Sequence, residues 1–205
     1  MERREWRQLN PSGDWPPPAE KGLGWEHGGL IFLFGGYCQD GARLASSHQP
    51  YQVTQDPRTG GAWTNALVVY NPRWHHTNSS LGLTLNMFAL SRRNCYQYPS
   101  TLGCPPSPRC GSAACVVGHR VFLFGGRCKQ RRLNDLHCLD LATLAWSLLD
   151  PATDPDPFAP PSASRPAPRS LHTMANIGAN RWADNYILLD ILHMSFYTSE
   201  ACCIS

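Results

Sequence analysis

The feature that most constrains this chain is a strand written twice. Leu30-Ile-Phe-Leu-Phe-Gly-Gly36 returns as Arg120-Val-Phe-Leu-Phe-Gly-Gly126. Each copy is a short continuous apolar run ending in paired glycines. Such a run suits a strand buried on both faces, and the glycines suit a turn that needs φ > 0 or close backbone approach. Each copy follows a Gly-bearing turn, His27-Gly-Gly29 or Gly118-His119. After the second copy come Asn134-Asp-Leu-His-Cys-Leu-Asp-Leu141, with Leu136, Cys138 and Asp140 on one face, and Leu144-Ala-Trp-Ser-Leu-Leu149 with a Trp anchor. Before it, Pro106-Ser-Pro-Arg109 leads into Cys110–Val117. Four strands in sequence predict one meander.

Composition narrows the class. The net charge of +3 is too small to argue for nucleic acid or an anionic membrane as partner. Charged residues are 16% of the chain, against roughly 25% on average. Gly and Pro are enriched, with 17 and 18 copies, yet stay below the roughly 25–30% of low-complexity chains. The chain reads as loop-rich and all-β. Its longest apolar runs, such as Val121–Phe124, fall far short of the roughly 20 residues of a membrane helix. Met1-Glu-Arg-Arg-Glu-Trp6 carries no apolar signal core, so a reducing compartment is expected, nucleus and/or cytoplasm. The nine cysteines then read as buried thiols acting as small hydrophobes. Cys104, Cys110 and Cys115 are too widely spaced for zinc, and adjacent Cys202-Cys203 is no standard knuckle. No metal and no cofactor are expected.

The order Pro-x-Pro-Arg, Phe-Gly-Gly, Asn-Asp-Leu-His-x-Leu-Asp, Trp resembles a kelch blade of a β-propeller. The resemblance implies an incomplete kelch β-propeller of about two to three blades of an expected six, since the period is about 50 residues. Residues 1–9, with Trp6-Arg-Gln-Leu9, would end a preceding blade. Residues 21–70 would form a partial blade whose third strand is Asn65–Tyr70. Residues 71–104 stand as an off-pattern insertion where a Thr-x-x-Trp strand is due. Residues 105–150 form a complete blade, 151–168 a stiff Pro-rich connector, 166–174 the start of a next blade, and 175–205 a divergent tail. Both off-pattern stretches are expected to come from alternative or misread exons.

The second blade is similar, more narrowly, to kelch domain-containing proteins 1 and 2, substrate receptors of Cullin-RING ubiquitin ligases. The match rests on Gly125-Gly-Arg, four residues, then Arg132-Leu-Asn-Asp-Leu-His137, with Pro106–Arg109 upstream and Arg169-Ser-x-His172 downstream. Lys21-Gly-Leu-Gly24, Phe34-Gly-Gly-Tyr37 and Trp63 with Asn65 extend it to the first blade. The resemblance implies a pocket that captures the extreme C-terminus of a substrate and prefers a diglycine end. Arg127, Arg132 and Ser170 would hold the carboxylate, with Lys21, Tyr37 and Trp63 around it. Leu171 departs from the family, which has Trp there. No catalytic residue and no enzyme activity are implied, and His172 reads as structural.

The chemistry stands without the family. A terminal carboxylate is a planar anion, and two guanidinium forks plus a hydroxyl satisfy it with charge-assisted hydrogen bonds. Lys129 and Arg131 read as solvated charges. The partners expected are C-terminal peptides of substrate proteins and, in a full-length parent, Cullin-2 and an elongin adaptor, whose docking box is not found in this sequence. The exposed blade faces of an open arc predict association between copies. Two alternatives stand beside this reading: a generic kelch scaffold for a cytoskeletal or trafficking partner, and a truncated fragment without function.

Overall fold

The computed structural model describes residues 10–13, 15–44, 50–72, 95–150 and 166–176, together with the backbone of Ile187–Asp190 and Cys202–Ile204. These residues form three β-sheets. The first contains β1 (Ser12–Gly13), β2 (Leu23–His27), β3 (Leu30–Cys38), β5 (Ala62–Tyr70) and β6 (Cys95–Gln97), ordered β1-β6-β5-β3-β2, with β4 (Val53–Gln55) paired to β5. The second contains β7 (Leu102–Gly103), β8 (Ala113–Val117), β9 (Arg120–Cys128), β10 (Arg131–Asp140) and β11 (Ala145–Asp150), ordered β7-β11-β10-β9-β8. The third is β12 (Thr173–Asn176), β13 (Ile187–Asp190) and β14 (Cys202–Ile204). Strand β8 contacts β2 on one side and β12 on the other, so successive sheets meet along their first long strands. Three open sheets without closure are an incomplete propeller.

The paired glycines do more than turn the chain. Gly35 and Gly36 have φ of 68° and 116°, and Gly125 and Gly126 have 62° and 103°. The ladder shifts register beside each pair, between Phe34 and Gly36 and between Leu133 and Leu136. Into each shift docks the backbone of the next Pro-x-Pro-Arg segment. Gly36 N–H donates to the Arg109 carbonyl at 2.8 Å, and Gly126 N–H to that of Arg169 at 2.9 Å. A Cβ on Gly35 or Gly125 would stand 2.8 Å from the same carbonyls, closer than a side chain tolerates. The glycine pair is therefore the socket by which one blade holds the next.

The core lies between the first two sheets. Phe32, Phe34, Leu67 and Val69 pack against Val121, Leu123, Leu139 and Trp146, and the Phe34 and Trp146 rings meet at 5.3 Å. Burying each such side chain contributes about 1.5–3 kcal/mol. Strand β3 is not buried evenly on both faces, as its apolar run had predicted. Ile31 is 37% exposed, whereas its counterpart Val121 is fully buried, because sheet two has sheet one against it.

Two boundaries need correction. The stretch 71–104 is not wholly off-pattern: Cys95–Gln97 supplies the missing fourth strand of the first blade, and Leu102–Gly103 opens the second. Tyr96 takes the Trp place, since it is the parallel partner of Gly13 as Trp146 is of Gly103. The tail adds β13 and β14 to the third sheet without a Phe-Gly-Gly element. Trp6–Leu9 and the Pro-rich stretch 151–165 lie outside the described residues.

Candidate functional site

All six residues singled out in the sequence lie at the glycine-socket end of the sheets. Two antiparallel rows organise them. In the first blade Glu20 bridges to Tyr37, which pairs with Trp63; in the second Cys110 bridges to Arg127, which pairs with Arg132. Residues directly opposite on neighbouring strands present side chains on one face, with Cβ atoms roughly 4.5–5.5 Å apart. The aromatic pair Tyr37–Trp63 thus holds in blade one the position that the cationic pair Arg127–Arg132 holds in blade two. Its rings meet at 5.0 Å, and the Tyr37 hydroxyl is hydrogen-bonded to that of Thr59.

A backbone relay joins the blades along this rim. Gly111 N–H donates to the Lys21 carbonyl at 2.8 Å, and Leu171 N–H donates to the Gly111 carbonyl at 2.7 Å. All three residues hold left-handed backbone, with φ of 56°, 63° and 59° in chain order. Only Gly111 adopts it without cost, so Lys21 and Leu171 carry local strain at the rim. Ser170 is tied to the arginine pair through its neighbour: Arg169 N–H donates to Leu133 at 3.0 Å and its carbonyl accepts from Gly126, and these are the residues next to Arg132 and Arg127.

Lys21, Arg127 and Arg132 are exposed, Ser170 and Tyr37 half-buried, and Trp63 buried. The Arg127 Nε donates to the Lys129 carbonyl at 2.9 Å, which fixes the root of its guanidinium. Cys110, which sequence reasoning missed, sits among them. Burial pushes its thiol pKa up, opposed by a hydrogen bond with the Trp63 side chain and by the charges of Lys21 and Arg127. Its signal in the sequence was its place directly after Pro-x-Pro-Arg, matching Glu20 and Ser170. Leu171 is 59% exposed, so an apolar side chain stands open on the rim where the resemblance expects an aromatic.

Beneath the rim lies a buried network. Arg109, only 1% exposed, grips Asp135 through two 2.7 Å hydrogen bonds and also donates to the Gly125 carbonyl and to Ser107. His137 Nε2 meets the same carboxylate at 2.9 Å. Burial alone would raise the Asp135 pKa; hydrogen bonds from His137 and Arg109, with their charges, overcome it and hold the carboxyl well below the usual carboxylate range. Among the described residues no group of three or more His, Cys, Asp or Glu could hold a metal ion.

Comparison with known proteins agrees with the fold. The family model described as the KLHDC2/KLHL20/DRC7 Kelch-repeats domain matches residues 1–183. Mouse kelch domain-containing protein 1 is 30% identical over 143 residues, which are 69% of this chain and 31% of the relative. Bovine kelch domain-containing protein 2 is 27% identical over 188 residues, 74% of this chain and 46% of the relative. The chain therefore spans between about a third and a half of these relatives. A solved structure described as "Structure of YjhT" superposes with TM-score 0.50 at 14% identity, covering 86% of this chain and 44% of that one, a likeness of fold alone.

Proposed function

The chain belongs to the kelch-repeat family of the KLHDC2/KLHL20/DRC7 type, and from that membership we propose that this protein-binding module receives the free C-terminus of a partner protein at its glycine-socket rim. The observation that carries the proposal is the direct pairing of Arg127 with Arg132 on β9 and β10, with the Ser170 segment bonded to the residue beside each. Two guanidiniums on one face suit a planar anion with four lone-pair sites. Tyr37 and Trp63 form an aromatic wall in blade one, and a wall of this kind favours a small terminal residue. A diglycine end is the ligand the arrangement suits best. Selection of such substrates for a Cullin-RING ligase, through Cullin-2 and an elongin adaptor, would belong to a longer parent carrying a docking box. No catalytic duty is assigned to the rim.

The test is a pair of substitutions in the same loop. Arg132→Ala should weaken binding of a diglycine-ended peptide by about 2–5 kcal/mol, while Lys129→Ala leaves affinity within about twofold. Equal losses from both would mean a diffuse basic surface and no pocket. A second reading, a scaffold that binds folded partners through its loops, draws on the exposed Leu171; Leu171→Ser would then weaken the partner while amidating a peptide would change nothing.

A further inference from the structure

Arg169 repeats the backbone docking and the Nε clasp of Arg109, and differs in being half-buried and in what its guanidinium meets. Both close a Pro-x-Pro-Arg segment, and both dock their backbone into the glycine socket of the blade before. Both use Nε to bond the carbonyl two residues back, Arg109 to Ser107 at 2.9 Å and Arg169 to Ala167 at 3.0 Å. This shared clasp sets the two guanidinium forks in the same local orientation. Arg109 then closes on Asp135, a carboxylate midway along β10, the third long strand of its own sheet. The Nη1 of Arg169 is buried and has no hydrogen-bond partner among the described residues.

A second orphan lies beside it. His172 is 6% exposed, its ring packs edge-on against Phe124 at 5.7 Å, and neither ring nitrogen has a partner among the described residues. Its counterpart Ser112 spends its hydroxyl on the Gly125 carbonyl at 2.9 Å. Leaving a buried donor unsatisfied costs about 1–3 kcal/mol, more for a charged group. Two such groups three residues apart, beside the first strand of the third sheet, are suited to receive one polar group. The repeat states the ligand's chemistry, because the same fork in the preceding blade holds a carboxylate.

We propose that Arg169 and His172 form a second carboxylate site, which receives an Asp or Glu side chain presented on a β-strand at the third sheet. It is distinct from the rim: the rim takes a chain terminus on exposed arginines, whereas this site takes a side chain between the buried Nη1 of Arg169 and the buried His172 ring. The carboxylate can come from this chain or from a strand of another, and the two sources are separable.

Arginine-selective 15N labelling of the full chain tests it. A guanidinium clamped on a carboxylate rotates slowly and gives resolved Nη resonances; one without that clamp averages. Arg169→Lys, which keeps the charge and loses the fork, assigns the Arg169 signals. The probe is the peptide Asn-Asp-Leu-His-Cys-Leu-Asp, copied from residues 134–140, against the same peptide with Asn in place of its first Asp. The expected result is a resolved Arg169 set that appears with the Asp peptide, with about tenfold tighter binding than the Asn peptide. A resolved Arg169 set in the chain alone supports the same site with the carboxylate supplied in cis. Averaged Arg169 signals in the chain alone and with excess Asp peptide overturn the proposal.

Discussion

Ala66 stands in the first blade where Asp135 stands in the second, and Ala19 stands where Arg109 does. The ion pair is absent as a unit from one blade and present as a unit in the next. This pattern is expected of a buried pair, since either member alone leaves an uncompensated group. Asp135→Ala should therefore cost about 3–5 kcal/mol, and adding Arg109→Ala to it should cost little more. Urea midpoints of the two single variants and the double variant check this. Additive losses would mean that the two side chains stabilise the fold independently.

Stability should fall on mild acidification. Burial, helped by the nearby Arg169 charge, pulls the His172 pKa from 6.5 down to about 4. As pH drops, the unfolded chain takes up this proton first, so the neutral buried ring favours folding fully above about pH 6.5. That contribution is lost progressively down to about pH 4, by at most about 1.4 kcal/mol per pH unit. His172→Phe should flatten the profile in that window. Identical slopes for the two proteins would remove His172 as the cause. Below it, protonation of Asp135, whose pKa is held low, removes a further contribution.

The glycine socket predicts a contrast between two glycines. At Gly126, φ is 103° and a Cβ would strike the Ser112 hydroxyl and stand 3.1 Å from the Cys110 carbonyl. At Gly118, φ is 59° but the space is open. Gly126→Ala should cost more than about 3 kcal/mol, and Gly118→Ala only about 1 kcal/mol of backbone strain. Equal costs would show that the socket tolerates a side chain.

Much of this was legible because the repeat writes its sockets in glycine and its clasps in Pro-x-Pro-Arg. Arg127 and Arg132 were singled out by the resemblance to the kelch family, and the β9–β10 hairpin makes them direct partners. The fourth strand of the first blade was not found. Its Trp is replaced by Tyr96, and the long stretch before it hides the period. The usable signal was Ser12-Gly13 with Pro16-x-Pro18, matched by Leu102-Gly103 with Pro106-x-Pro108: in both blades a left-handed glycine lies against the outer aromatic. Cys110 escaped because nothing in a lone thiol announces that Trp63, Lys21 and Arg127 converge on it. Tyr96→Trp should accordingly be tolerated, while Trp146→Ala, which empties the inter-blade core, should cost about 3–5 kcal/mol. Thermal unfolding of both variants checks the pair, and a strongly destabilised Tyr96→Trp would deny the equivalence.

Recognition of a terminal carboxylate by Arg127 and Arg132 can be read from one titration. A fluorescent diglycine-ended peptide is titrated with the full chain beside the identical peptide amidated at its C-terminus. The free acid should bind saturably and amidation should abolish binding, since Arg127 and Arg132 then face a neutral amide that also presents donors. Equal affinity for the acid and the amide would contradict it.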